Sequence, residues 1–429
     1  MNTNEPYEEK IRKNYRWNFI FNVLDGSTFW FGYSFLAPAV ILPLYISHFT
    51  DSKLLIGLVA MIGTGFWLGP QLFTANWVEH TPVKVRIMIR QGLFLERLPL
   101  LILPLATWLL IGKPVPALMA FFLLYSWHSF GAGLTAVAWQ DMIGKIIPVE
   151  RRGIFFGFTN FLGSATGVVG AVVAAWLLDR YDFPYGFIIC FAVAGIFVII
   201  SYLFIAQTRE PALLTQHEPV TFRQYWAKLP VVLKKDRNFS NFLTTLVVFN
   251  LGGMAWGFLA VYALQHWGLP DGKVGQFGVA LLIGQSVFNL AFGSLADRKG
   301  YKLVLELSAL LAALSILLAV LAPHPNWFYI VFMLRGASLA GGYLSMMFVM
   351  EFCTPDIRPT YIGLSNTLSG IVLAIAPLLG GLIASLVGYP ALFMVALVLG
   401  LAAFGMLRWW VRDPRHIQPA GLEEVENVA

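Results

Sequence analysis

The chain has 429 residues, of which 58% are hydrophobic and only 12% charged, with a mean hydropathy of +0.70. A soluble domain carries roughly a quarter charged residues, so the composition excludes a string of water-soluble domains and points to lipid as the main solvent. The net charge of +6 raises nucleic acid as a partner only until the placement of Lys and Arg is read.

Residues 1–17 are polar and mixed in charge, expected as an N-terminal cytoplasmic segment with no cleavable signal peptide. A bilayer core takes about 20 apolar residues of helix. Twelve stretches of that kind are expected, at 18–47, 54–78, 87–111, 116–143, 153–178, 184–206, 240–266, 273–296, 302–322, 327–351, 361–387 and 389–410. The expected organisation is a six-helix bundle over 18–206, a linker over 207–239, a second bundle over 240–411 and a tail over 412–429. The linker's middle, Phe222 to Lys235, mixes Trp226, Leu229 and Val232 with Arg223, Lys228, Lys234 and Lys235, which suits a helix lying in the headgroup layer.

Lys and Arg set the orientation. With the N-terminus inside, the outer loops hold only Lys53, Lys113, Arg180 and Lys273, while Arg97 and Arg335 fall within spans. That leaves 23 of the 29 Lys and Arg residues on the inner side, so both ends are expected in the cytoplasm. The positive charge is then a topology signal and an attraction to membrane lipid, with no nucleic acid needed. Cys190 and Cys353 stand far apart in apolar surroundings without metal or redox spacing and read as packing thiols.

The two halves carry an internal repeat. "IGLVAMIG" in the second span and "FGVALLIG" in the eighth align at an offset of 221, which also pairs Asn76 with Asp297. At an offset of 206, Arg152, Gly157 and Asn160 pair with Arg358, Gly363 and Asn366. Both matches fall at equivalent places in the two halves.

The loop "GSLADRKGYK", Gly293 to Lys302, is the most specific feature. Asp297 stands where a helix ends, among Arg298, Lys299 and Lys302, with Gly293 allowing close helix approach and Gly300 a tight turn. A carboxylate there can accept backbone N–H bonds and pair with an arginine of a neighbouring loop, acting as a releasable latch between bundles. The loop resembles the signature G-x-L-A-D-R-x-G-R-K of the major facilitator superfamily, with Tyr301 where that family usually has Arg. The first-half copy, "LFTANWVEHTPVK", has Asn76 at the Asp position and Glu79 at the Gly position. The resemblance implies an all-α membrane protein of twelve transmembrane helices in two pseudo-symmetric bundles, and a secondary transporter whose helices 1, 4, 7 and 10 line a central cavity. "APLLGG", Ala376 to Gly381, resembles a Gly-Pro motif of the family but lies in the eleventh span, where helix packing is its expected role.

Ionisable groups inside a span are costly and are functional candidates. Asp25, in "NVLDGSTFWFG", and His128, in "YSWHSFGAG", are candidates for proton coupling; Asp25 faces either the cavity or the inner headgroups, and His128 either relays a proton or packs. Arg335 is a candidate anchor for a carboxylate or phosphate, with Asn250 as a neutral hydrogen-bonding partner, or else a structural cation. Trp30, Phe35, Trp139 and Trp256 are candidates for an aromatic binding surface, against core packing as the alternative. Glu96 and Arg97 are sequence neighbours, so they are not expected on one helix face, and a structural role is favoured. Asp141, Glu306 and Glu351 fall at inner helix ends, where a solvated or latch role is expected.

No phosphate-cradling loop, metal-spaced cluster or nucleophile-base pair stands out. The reading is therefore a non-enzymatic, multi-pass transporter of the inner or plasma membrane, with no cofactor, driven by a proton gradient and working as a monomer on a small organic molecule. Export of an amphipathic compound is favoured slightly over metabolite uptake or facilitated diffusion, and a non-transporting sensor or assembly protein is the competing class.

Overall fold

The computed structural model describes residues 7–38, 41–50, 53–212, 222–269 and 272–416. The expected tail beyond residue 416 and linker residues 213–221 lie outside the described residues. All regular elements described are helical. Among the described residues, ten stretches are long and apolar enough to cross a membrane: Val85–Leu109, Pro114–Ile146, Val149–Arg180, Tyr185–Ile205, Arg237–Trp267, Gln276–Lys299, Tyr301–Leu321, Trp327–Val349, Arg358–Leu386 and Tyr389–His416. They correspond to the expected third to twelfth segments.

The first two segments differ from the unbroken apolar helices expected. The first is Tyr7–Ser34 followed, after Pro38, by Ile41–Ser47. Asn18, Asn22, Asp25 and Ser27 are buried in it, and they dilute its hydropathy. The second runs Lys53–Leu68 and resumes at Gln71–Glu79, because Pro70 has no N–H to continue the ladder.

The chain divides into two compact units, one of Met1–Pro148 with Leu162–Gln216, the other of Val149–Phe161 with His217–Ala429. The opening turns of the fifth segment thus group with the second unit.

In the first unit the core is aromatic. Tyr45 stands among Phe121, Phe187 and Phe191 at ring distances of 5.2–5.4 Å, and Phe35 is fully buried beside them. The third segment contains a π-helical turn, Gly92–Arg97. Its cause is local: Pro99 cannot donate to the carbonyl of Leu95, four residues earlier, so the ladder opens there. Gly131 of the fourth segment fits against that carbonyl, where an added Cβ would stand 2.0 Å from Leu95 O.

The second unit is built by the same devices. The seventh segment breaks within "LGGMAWG" into a 3-10 turn, Gly253–Ala255. Gly380 of the eleventh segment packs against the Met254 carbonyl at this break, so "APLLGG" serves close packing. The eighth and tenth segments meet backbone to backbone, since a Cβ at Gly284 would lie 2.1 Å from Met333 O and one at Gly336 2.0 Å from Leu281 O.

Both units close alike. In the first, Asn18 donates to the Arg209 carbonyl at 3.0 Å and accepts from its N–H at 2.9 Å. In the second, Asn238 and Arg412 make the same reciprocal pair at 2.9 and 2.8 Å. The end of the fourth segment is held by Lys145–Glu210 at 2.5 Å, and that of the tenth by Glu351–Arg415 at 2.7 Å. Lys145 and Glu351 are related by the offset of 206 already seen in the repeat, with the charges reversed.

Candidate functional site

The first unit holds a buried polar cluster on its first, third, fourth and sixth segments. Asp25 is 5% exposed and accepts a hydrogen bond from Ser201 Oγ at 2.5 Å. Among the described residues it enters no ion pair, although Arg97 acts on it electrostatically. Glu96 and Arg97 pair at 2.7 Å. Both are buried, which corrects the expectation from straight-helix geometry: the wide π turn lets sequence neighbours share an interior. Thr135 donates to the same Glu96 oxygen at 3.2 Å. His128 Nδ1 stands 2.6 Å from the Glu96 carbonyl, and because a carbonyl only accepts, Nδ1 carries the proton there. Glu96 and Arg97 act electrostatically on both Asp25 and His128. The two coupling candidates are therefore joined through a pair that sequence reasoning assigned to structure.

Trp30 is 47% exposed, with its indole against Gly163, and it stacks edge-on with Phe29 and Tyr33. Phe35, by contrast, is core and drops out of any binding surface. Trp139 is half-buried on the fourth segment.

In the second unit Arg335 is 5% exposed, its guanidinium carbon 3.1 Å from the Trp256 ring centroid. The 3-10 break aims that indole across Gly253, where a Cβ would meet the ring at 2.8 Å. Arg335 enters no ion pair among the described residues, and its Nη1 is buried without a hydrogen-bond partner. Asn250 is buried one turn and a half before Trp256, but no hydrogen bond joins its side chain to Arg335.

The loop motif is used as a cap. Asp297 accepts from the N–H groups of Gly153 at 2.6 Å and Ile154 at 2.7 Å, the second and third residues of the helix Arg152–Arg180. These donors have no partner within their own helix. A distant carboxylate thus does the work of an N-cap side chain, with Arg151 and Arg415 nearby in charge. Gly153 and Gly157 permit it: a Cβ at either would meet Gly293 O at 2.3 Å or Asn289 O at 2.4 Å. Gly300, at φ +96°, makes the turn. Lys302 bonds to Glu306 at 3.5 Å and the Arg408 carbonyl at 3.4 Å, whereas Arg298 is exposed. Arg152, which acts electrostatically on Glu351, and Arg358 are both buried.

At the degraded first-half copy, Asn76 accepts from His80 through its backbone carbonyl at 2.8 Å. The capping there falls to other residues. Glu210 accepts from Val85 N–H at 2.7 Å while holding Lys145. Lys84 donates to Val78 O at 2.6 Å and Thr81 O at 2.5 Å beside Asp141 at 3.5 Å; its burial pulls the ammonium below its usual range, against the pull of Asp141. Burial pushes the Glu351 carboxyl up, opposed by Arg415. Sequence reasoning missed Glu210, although "REP" at 209–211 and "RDP" at 412–414 repeat at an offset of 203.

Over the whole described chain the fold is that of the human organic anion transporter MFSD10, at a TM-score of 0.70 and 15% identity, covering 94% of this chain and all of that one. The family model described as Major Facilitator Superfamily matches residues 239–427. The second half of the chain is thus similar to that superfamily. With this fold and ten helices among the described residues long and apolar enough to cross a membrane, it is a multi-pass membrane protein. The benzoate transport protein of Acinetobacter baylyi is 24% identical in an alignment covering all of this chain and 96% of that protein. The multidrug resistance protein MdtL of Shewanella sp. is 30% identical over 133 residues, 31% of this chain, which spans about a third of MdtL's length.

Proposed function

We propose that this chain is a proton-coupled secondary transporter of the major facilitator superfamily that moves a small organic molecule by alternating access across the cell membrane, with both termini cytoplasmic. The observation that carries the reading is Asp25: a carboxyl buried in a membrane unit, hydrogen-bonded only to the neutral Ser201 Oγ, with no ion pair to fix its charge. Held by a neutral hydroxyl, with Arg97 acting on it only from beyond ion-pair distance, the carboxyl is not committed to one charge state. His128 and the Glu96–Arg97 pair give the charge an adjustable neighbourhood. The resemblance to a protein named for benzoate and the fold of one titled an organic anion transporter support a small organic substrate. The 23 inner Lys and Arg residues support the orientation.

The test is uptake into proteoliposomes under an imposed pH gradient. The wild type should accumulate substrate, and Asp25→Asn should retain downhill exchange while losing gradient-driven accumulation. Accumulation that persists in Asp25→Asn with unchanged pH dependence removes Asp25 from coupling. Export of amphipathic compounds is the second reading, supported by the partial likeness to a multidrug resistance protein.

A further inference from the structure

Arg335 is a cation in the interior of an apolar unit with an incomplete set of partners. Its guanidinium carbon stands 3.1 Å from the centroid of the Trp256 ring, an attraction to the ring face that cannot satisfy the N–H donors. Nη1 is buried and unbonded, and no carboxylate pairs with it among the described residues. The surroundings do not supply the missing charge: Tyr343 acts on Arg335 electrostatically, and its hydroxyl is hydrogen-bonded to Gln285. The position is rigid, because Gly336, the next residue, locks the tenth segment to the eighth at Leu281 O. A buried unpaired cation is expensive, and one held rigidly is not relieved by swinging to water.

From this geometry we infer that Arg335 and Trp256 form the anchor for an organic monocarboxylate with a flat apolar body. The guanidinium supplies one positive charge and a forked donor edge, which matches one carboxylate. A dianion would leave a surplus charge buried. Trp256, with Phe249 edge-on at 6.1 Å, offers aromatic surface for the ring of the ligand. The inference rests on the transporter reading only in calling the ligand a substrate; the binding site stands or falls separately.

The experiment uses the purified full-length protein in detergent, with sodium benzoate, benzamide and phenyl phosphate as probes, read by calorimetry and tryptophan fluorescence. Benzoate should bind about tenfold or more tightly than neutral benzamide, the margin of a charge-assisted bidentate bond. Arg335→Gln should weaken benzoate about 10–100-fold and leave benzamide unchanged, and Arg335→Lys should fall between because an ammonium lacks the fork. Trp256→Leu should weaken benzoate and remove the fluorescence response. Should Arg335→Gln fail to fold, the wild-type comparison of benzoate with benzamide still decides. Equal affinity for those two, tighter binding of phenyl phosphate, or wild-type benzoate binding by both Arg335 variants overturns the assignment. Benzoate that binds but is not moved across liposomes keeps the site and overturns transport; benzoate flux that is unchanged in Arg335→Gln does the reverse.

Discussion

Removing the Asp297 carboxylate should unseat the first turn of the helix Arg152–Arg180. Its two oxygens accept from Gly153 and Ile154 at 2.6 and 2.7 Å, and hydrogen bonds to a charged group are worth about 1.5–3 kcal/mol each. Asp297 is only half-buried, so water can reach part of the exposed turn, and Asp297→Ala should cost on the order of 2–3 kcal/mol in all. Asp297→Asn keeps one acceptor and turns an NH2 toward the second N–H, so about half that loss is expected. Arg298→Ala, in the same motif but exposed, should stay within about 0.5 kcal/mol. Apparent melting of the purified protein, scanned at one fixed rate because membrane proteins unfold irreversibly, should rank wild type and Arg298→Ala together, then Asn, then Ala. A ranking in which Arg298→Ala is the most damaging, or in which Asp297→Ala melts with the wild type, refutes the capping account.

In liposomes, Asp297→Ala should slow turnover more than it weakens substrate binding; unchanged turnover removes any latch role. The Lys145–Glu210 pair is buried, with side chains 1% and 0% exposed, so Lys145→Met should cost about 3–5 kcal/mol. A double-mutant cycle with Glu210→Gln should show strong coupling, and additive losses would deny the pair. Gly336→Ala would place a methyl 2.0 Å from Leu281 O and should abolish a stably folded yield, as judged by size-exclusion elution; normal yield contradicts the backbone contact. Burial raises the Asp236 carboxyl above 3.8, against opposing bonds from Phe239 and Tyr361. The folded state then binds more protons than the unfolded between the two values, so stability rises as pH falls through the folded value. The wild type should therefore gain relative to Asp236→Asn as pH falls toward about 4, and a wild type that loses ground to the variant on acidification argues against it.

Much of the architecture was legible because lipid imposes long, countable apolar helices and because the Asp297 loop has a recognisable spacing. Apolar counting does not see breaks: Pro38 and Pro70 divide the first two segments, and Gly252 and Gly253 the seventh, yet hydropathy runs through all of them. The Glu96–Arg97 pair was misread because a 3.6-residue helix was assumed where Pro99 forces a wider turn. Arg335 and Asp25 were found because an ion in lipid stands out in any sequence. Ser201 was not singled out, and Trp256 was named as aromatic surface and not as the neighbour of Arg335, a place given to Asn250, because neither letter is tied to a charge until folding sets it opposite one.

The reversed ion pairs closing the two units bear on how a duplicated chain avoids folding into the wrong halves. In the register that aligns "REP" with "RDP", the segment after the sixth helix docked on the tenth would set Glu210 at the place of Asp413 and Ala212 at that of Arg415, leaving Glu351 without its cation. The Asn18 and Asn238 clamps read only backbone and would accept either tail. Charge thus selects the tail at the tenth segment, where only the second carries a cation in register, a proofreading of assembly that rests on Arg415.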